Sequence, residues 1–470
     1  MSTLTHMKHI IAIALLGGSC TMAPSLDSVA TFGGSGNDEI CQMLANVDEV
    51  TIVGTVSGPA AIGDAEIGVP RVQGDPRLGN AAFIATHRGG TTRDVAAFEA
   101  HDVDGESVGN VFGVVVSHTP DATYFAGTYS GALNVDGTAA ANSAGLFVGS
   151  RRGNTIDWLR SFPIEVEGVP AETAGMIALT RVAGIVNAGS EIVIAANFFG
   201  TLDLGGGALG ERGAATLIAI RFADNGEVRS SRVLASQRAV LLASSVVTAG
   251  EGDFLVVGVV TGDVDFGTGQ LTAGEGSAFA LRIDAEGEAQ WATLLPGNVQ
   301  TSCYGLAGAS TPILVLGPRV WVATEVSEEA ELNGESFIPA GVDVLLSSLD
   351  LTTGGIEDFV LHGGDGEERA PSLLAGRDDG LFLIGSFRGP TRLGGNDLLG
   401  ENGIFFVDAD ASGAMRSAHT LAQNVSLRSS ASMGDGRFWI GGVFSGEAII
   451  GETSILSLGE DDGVVALVAP

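Results

Sequence analysis

Seven times along the chain a β-type run ends at an anchor residue, an apolar residue follows four positions later, and Gly, Asp or Asn comes next. Repetition of this kind constrains the fold more than any single residue, because one supersecondary unit is being built again and again. The anchors are Gly58, Gly131, Gly200, Gly262, Glu328, Gly389 and Gly446. After them come Ile62-Gly63, Val135-Asp136, Leu204-Gly205, Phe266-Gly267, Leu332-Asn333, Leu393-Gly394 and Ile450-Gly451. Gly, Asn and Asp tolerate positive φ, so each repeat is expected to make the same tight turn at that point.

Upstream of each anchor the pattern alternates with period two. Apolar residues stand six and two positions before it, as in Ile52 and Val56 or Val256 and Val260. Between them on the same face lies a small residue: Gly54, Gly127, Ala196, Gly258, Thr324, Gly385 or Gly442. This is a strand with one packed face, and the small residue is expected to let a neighbouring sheet approach closely. Downstream comes another apolar run, then a turn and a fourth strand, as in IDAEGEAQWATLL from Ile283. The intervals between anchors average about 65 residues, room for four short strands and their connections.

The seventh unit stops short, with only Ala469 and Pro470 after its third strand. A matching segment lies near the other end of the chain, where SVATFGGSGNDE from Ser28 parallels EDFVLHGGDGEE from Glu357. The expected fold is therefore all-β: a seven-bladed β-propeller of four-stranded antiparallel blades, its ring closed by the N-terminal strand completing the last blade. Closure of that kind hides sheet edges that an open array would expose.

The chain here resembles the bacterial β-propeller repeat family known as SBBP-type, found in secreted proteins and lipoproteins. The resemblance covers Ser28 to Pro470 and rests on GGSGND from Gly33, TGDVDFG from Thr261 and FALRIDAEGEAQW from Phe279. It implies a blade architecture and a surface location, and it carries no shared catalytic residues.

Composition agrees with export. The formal net charge is −33 and Lys8 is the only lysine, which makes nucleic acid a poor partner. At the N-terminus a basic residue, the apolar run Ile10 to Leu16 and small residues ending at Cys20 form a secretory signal too short to span a membrane. Leu16-Gly17-Gly18-Ser19-Cys20 resembles a lipobox, with Gly17 rather than Leu16 three residues before the cysteine, so lipidation at Cys20 is the expectation and simple secretion the alternative. The domain division expected is a signal over 1–20, a short tether over 21–27 and the propeller over 28–470. Cys41 and Cys303 occupy matching places in repeats one and five, so a bridge would have to cross the ring, and two separate thiols are expected.

Chemistry is sparse. Gly105-Glu106-Ser107-Val108-Gly109 fits the nucleophile pattern G-x-S-x-G, but it falls between blades, without the strand and helix that motif needs. His101, His118, His362 and His419 are scattered, which disfavours zinc. Asp408-x-Asp410-x-Ser412-Gly413 starts like a calcium loop and then fails at Arg416 and His419, and Asp102, Asp104 and Gly105 form a shorter fragment; turn chemistry accounts for both. No cofactor is expected, with calcium the one left open. The strands expected to line the channel read as ICQMLAN, FGVVVSH, MIALTRV, VLLASSV, CYGLAGA, SLLAGR and LRSSASM, mostly neutral, with Arg181, Arg377 and Arg428 as exceptions. The expected function is a non-catalytic, monomeric scaffold, lipid-anchored at the bacterial outer membrane or cell surface. Its inter-strand loops would bind an envelope protein or polysaccharide. The alternative is a propeller enzyme acting on extracellular glycans, which ionisable residues clustered at one channel mouth would favour.

Overall fold

The computed structural model describes residues 24–34, 36–46, 48–67, 80–101, 109–142, 144–165, 180–250, 252–299 and 311–470. The strands among them pair antiparallel in sets of four. Repeat one runs Asp38–Asn46, Glu49–Val56, Ala81–Arg88 and Thr91–His101. Repeat two runs Asn110–His118, Thr123–Ser130, Gly145–Arg152 and Thr155–Glu165. Repeat three has Arg181–Ala188, Glu191–Phe199, Ala215–Ala223 and Val228–Gln237. Repeat four has Leu241–Thr248, Phe254–Asp265, Gln270–Ile283 and Ala289–Pro296. Repeat five has Ile313–Leu316, Arg319–Val326, Asp343–Asp350 and Ile356–His362.

Repeat six takes Glu367–Ala375, Leu381–Arg388, Asn402–Ala409 and the first part of the long strand Met415–Ser432. The rest of that strand opens repeat seven, followed by Phe438–Ile450 and Asp462–Ala469. Strand Ser25–Gly34 pairs with Asp462–Ala469, matching Val29 to Ala466 and Phe32 to Gly463. Each hydrophobic cluster but one small one joins two units: repeats one and two, two and three, three and four, and so on to six and seven. One more cluster joins repeat one, through Ile40, Val50 and Phe83, to repeat seven, through Trp439, Val465 and Leu467. This is the architecture of a β-propeller, in which each sheet buries its faces against its neighbours.

The repeated turn is as the sequence predicts. Gly63, Asp136, Gly205, Gly267, Asn333, Gly394 and Gly451 all have positive φ, from 48° at Asp136 to 97° at Gly205 and Gly267. The small residue at the centre of the second strand has a different purpose from the one expected. In four of the seven repeats it makes room for an aromatic ring of its own sheet, not for the next sheet. Gly54, Gly127, Gly258 and Gly385 pair with Phe83, Phe147, Phe279 and Phe405 on the third strand. A Cβ on Gly54 would lie 2.4 Å from the Phe83 ring and one on Gly385 2.5 Å from the Phe405 ring. Each of those rings is almost wholly buried, and full burial of a phenylalanine contributes roughly 1.5–3 kcal/mol.

The parallel between SVATFGGSGNDE and EDFVLHGGDGEE is structural as well. In both, an outermost strand passes through Gly-Gly-x-Gly into the innermost strand of the next unit. The backbone N–H of Gly34 donates to Asp38 Oδ2 at 2.6 Å, and that of Gly364 donates to Glu368 Oε2 at 2.8 Å. The first glycine of each motif lies against a carboxylate from the third strand: a Cβ on Gly33 would sit 2.1 Å from Asp462 Oδ1, and one on Gly363 2.1 Å from Asp343 Cγ.

Candidate functional site

In an antiparallel four-stranded unit the start of the first strand, the end of the second and the start of the third lie at one end. Because the unit repeats, those ends share one face. Ionisable side chains gather there. Glu39, one residue into its strand, pairs with Arg428 of repeat seven at 3.3 Å. Arg369 of repeat six pairs with Glu325, near the end of the second strand of repeat five, at 3.4 Å and with Glu367 at 3.4 Å. Arg181 opens the first strand of repeat three and is 1% exposed. Burial pulls its guanidinium down to about 10, so it stays charged at neutral pH.

Four carboxyls at this end, those of Glu39, Asp343, Glu368 and Asp462, are held above their ordinary range. Burial raises Glu39, although Arg428 beside it pulls the other way. Asp343 and Glu368 hydrogen-bond to each other, and burial raises both. Glu368 also accepts from Thr391 Oγ1 at 2.8 Å with Oε1. The pair therefore keeps a proton more tightly than either acid would in water. Asp462, at the matching place in repeat seven, is raised by burial as well.

This arrangement corrects the expectation of a mostly neutral channel. The innermost strands begin earlier or later than the sequence reading placed them, at Asp38, Arg181 and Glu367 rather than at Ile40, Met176 and Ser372. The shift brings the acids after Gly-Gly-x-Gly into the strands. The signal available in the sequence was the pair of acids that follows each motif, Asp38-Glu39 and Glu367-Glu368. Of the arginines singled out, Arg428 and Arg181 lie at this end. Arg377 lies at the other, where it donates to the Pro470 carbonyl.

The other candidates are not brought together. His118, His362 and His419 belong to repeats two, five and six; His362 donates to the Gly413 carbonyl at 3.0 Å, and His419 stacks on Phe406. The His101 side chain, Cys20, Cys303, Asp102, Asp104 and the stretch from Gly105 to Val108 lie outside the described residues. Asp410 spends Oδ1 on its own turn, accepting from the Ser412 and Ala414 backbone and from Ser412 Oγ, and Asp408 pairs with Arg416. No group of three metal-binding side chains occurs among the described residues. Cys41 is disulfide-bonded, which corrects the expectation of two separate thiols. It sits at a bulge of the innermost strand, between Ile40 and Gln42 in the pairing register, and a bulge re-aims the side chain it carries.

No family model and no curated protein matches the chain. Among solved structures it is similar to a subtype N11 neuraminidase-like protein of A/flat-faced bat/Peru/033/2010 (H18N11), at 8% identity, with 95% of this chain and 94% of that one covered and a TM-score of 0.37. It is similar to a Trypanosoma rangeli sialidase at 10% identity, covering 93% of this chain and 57% of that one, with a TM-score of 0.36. For a puromycin hydrolase the identity is 12%, the coverage 87% and 58%, and the TM-score 0.40. These likenesses are too weak to assign a reaction. They do correct the expectation that the chain is not an enzyme, because enzymes stand among the architectures it is similar to.

Proposed function

We propose that the chain is a seven-bladed β-propeller whose ring is closed by strand Ser25–Gly34, and that it binds an envelope protein through the face at which the innermost strands begin. The observation that carries this reading is the placement of exposed apolar side chains. Ile338, Leu399, Leu456, Leu458 and Val240 are the large hydrophobic residues exposed among the described ones. All five lie on connections at that face, between second and third strands or, for Val240, just before an innermost strand. The turns at the opposite face are made of residues such as Gly89-Gly90, Gly189-Ser190 and Asp435-Gly436. Exposed aliphatic tips around a rim of arginines and carboxylates suit a protein surface. Sugar rings would call for exposed aromatic side chains.

The bonded state of Cys41 supports export, since disulfides persist in oxidising compartments. Lipid on Cys20 would hold the ring near a membrane. A second reading, a propeller enzyme acting on extracellular glycans, is favoured by Glu39, a buried acid of raised pKa beside Arg428 at the same mouth. Photo-crosslinking residues placed at Leu458 and Ile338, and at Gly153 and Asp435 on the opposite face, test the main reading in cells. Protein adducts are expected from the first two positions. Equal yields from both faces, or none from Leu458 and Ile338, would overturn it.

A further inference from the structure

The seven repeats act as controls for one another, and one transverse row sets repeat two apart. Where the first, second and third strands pair near the far end of each unit, repeats three to seven read Asn187-Ile192-Phe222, Thr248-Phe254-Ile283, Val315-Val320-Leu349, Ala375-Leu381-Ala409 and Ser432-Phe438-Val468. The second and third members of those rows are all buried apolar residues. Repeat two has His118-Thr123-Arg151 instead. Repeat one has Ala45-Val50-His87 there, with His87 buried and pushed toward its neutral form by that burial. Arg151 is thus the one permanent cation at a place that repeats three to seven fill with apolar residues such as Phe222, Ile283 and Leu349, and it is only 4% exposed. A cation in such a place carries a desolvation cost that calls for a partner.

The row faces repeat one across a cavity of about 230 Å³ lined by Arg151, His118, Thr51, Thr86 and Asp94 among others. Arg151 is held in a fixed pose. Its Nε donates to the Gly153 carbonyl at 2.7 Å and its Nη2 to the Asp94 carbonyl at 2.6 Å. Asp94 has φ 53°, a left-handed conformation uncommon for a residue other than glycine, and its carbonyl is one of those two acceptors. Nη1 is shielded from bulk water and has no acceptor. The nearby surface cations have carboxylates of their own: Arg93 has Glu49 and Asp94, and Arg152 has Asp157. Arg151 has no carboxylate within 4 Å among the described residues, and Asp136 and Asp94 favour its charge only from farther away, less than burial opposes it. His118, whose Nδ1 and Nε2 lie 2.9 Å from Thr123 Oγ1 and 2.8 Å from Thr51 Oγ1, is not a second cation at neutral pH, because burial and then the neighbouring Arg151 disfavour its charged form.

We propose that the cleft between repeats one and two is a binding site for a small carboxylate, which Arg151 recognises. The volume corresponds to several water molecules at about 30 Å³ each, so a compact acid of a few carbons fits and an oligosaccharide does not. The acidic rim of Glu49, Asp94 and Asp121 excludes multiply charged anions. The site lies at the end of the repeats opposite the face proposed for protein binding, so the two readings stand or fall separately.

Calorimetric titration of the folded protein with acetate, lactate and sulfate at matched ionic strength tests the site. Saturable one-site binding of acetate or lactate is expected, with sulfate weaker. Arg151→Met should weaken binding at least tenfold. Thr86→Met, which fills the cleft and leaves the arginine in place, should do the same and keeps the test available if the first variant does not fold. No saturable binding of either carboxylate, sulfate binding as tightly as lactate, or undiminished lactate affinity in Thr86→Met would each overturn the proposal.

Discussion

Truncating Phe32 to alanine should destabilise the whole molecule, because this one side chain from strand Ser25–Gly34 is packed between the two ends of the repeat array. It is 4% exposed. Its ring lies 6.3 Å from His87 of repeat one, edge to face, and His87 lies 5.6 Å from Trp439 of repeat seven in the same manner. Val50, Phe83, Val465 and Leu467 belong to the same cluster. A Phe→Ala change at a buried site costs about 3–5 kcal/mol, a large part of the roughly 5–15 kcal/mol that holds a folded protein together. Urea unfolding followed by tryptophan fluorescence should show a lower midpoint at an unchanged slope. Limited proteolysis should show new cleavage within residues 25–34. Phe359→Ala is the control, since that ring packs on Phe337 within repeat five and its loss should leave the N-terminal strand protected. A wild-type midpoint for Phe32→Ala, with no new cleavage, would refute the reasoning.

Two further predictions concern pH. The folded pKa values of Asp343 and Glu368 are raised, chiefly by burial, so the stability they contribute is full below the ordinary carboxylate values and is lost as pH rises through the raised ones. Asp343→Asn supplies a permanent donor to Glu368 and should stabilise the protein at pH 7 by about 1.5–3 kcal/mol, the scale of a hydrogen bond to a charged group; chemical denaturation should show that gain shrinking as pH falls toward 4. His118 has the opposite sign, its pKa lowered from 6.5 to about 4 by burial and then by Arg151. Its contribution is present above 6.5 and is lost as pH falls toward 4, with a ceiling of about 3 kcal/mol at about 1.4 kcal/mol per pKa unit. His118→Gln should flatten stability against pH across that window, and an unchanged slope would count against the burial of this ring.

Much of the fold was legible because the repeat marks its own register. The apolar residue after each anchor and the Gly, Asp or Asn beside it locate a left-handed turn without reference to any other part of the chain. The partner of Gly54 was not legible in that way, since Phe83 stands opposite it only through pairing across a connection of unpredictable length. The mouth was obscured for a related reason: the Gly-Gly-x-Gly segments read as loops, while the acids after them already belong to innermost strands. The polar row of repeat two left a signal in the sequence, because Arg151 stands where Phe222 and Ile283 stand, but it emerges only when third strands are aligned on their pairing. The bond at Cys41 had no such signal, because the places of the cysteines in the repeats argued against a bridge.

The claim that the ring closes through the N-terminal strand is tested most directly by a cysteine pair at Val29 and Ala466, which face each other in the strand register although they lie at opposite ends of the chain. In the doubly substituted protein, mild oxidation followed by peptide mass analysis without reduction should yield a linked peptide containing both positions. Recovery of both cysteines unlinked and freely alkylated in the folded protein would contradict the account.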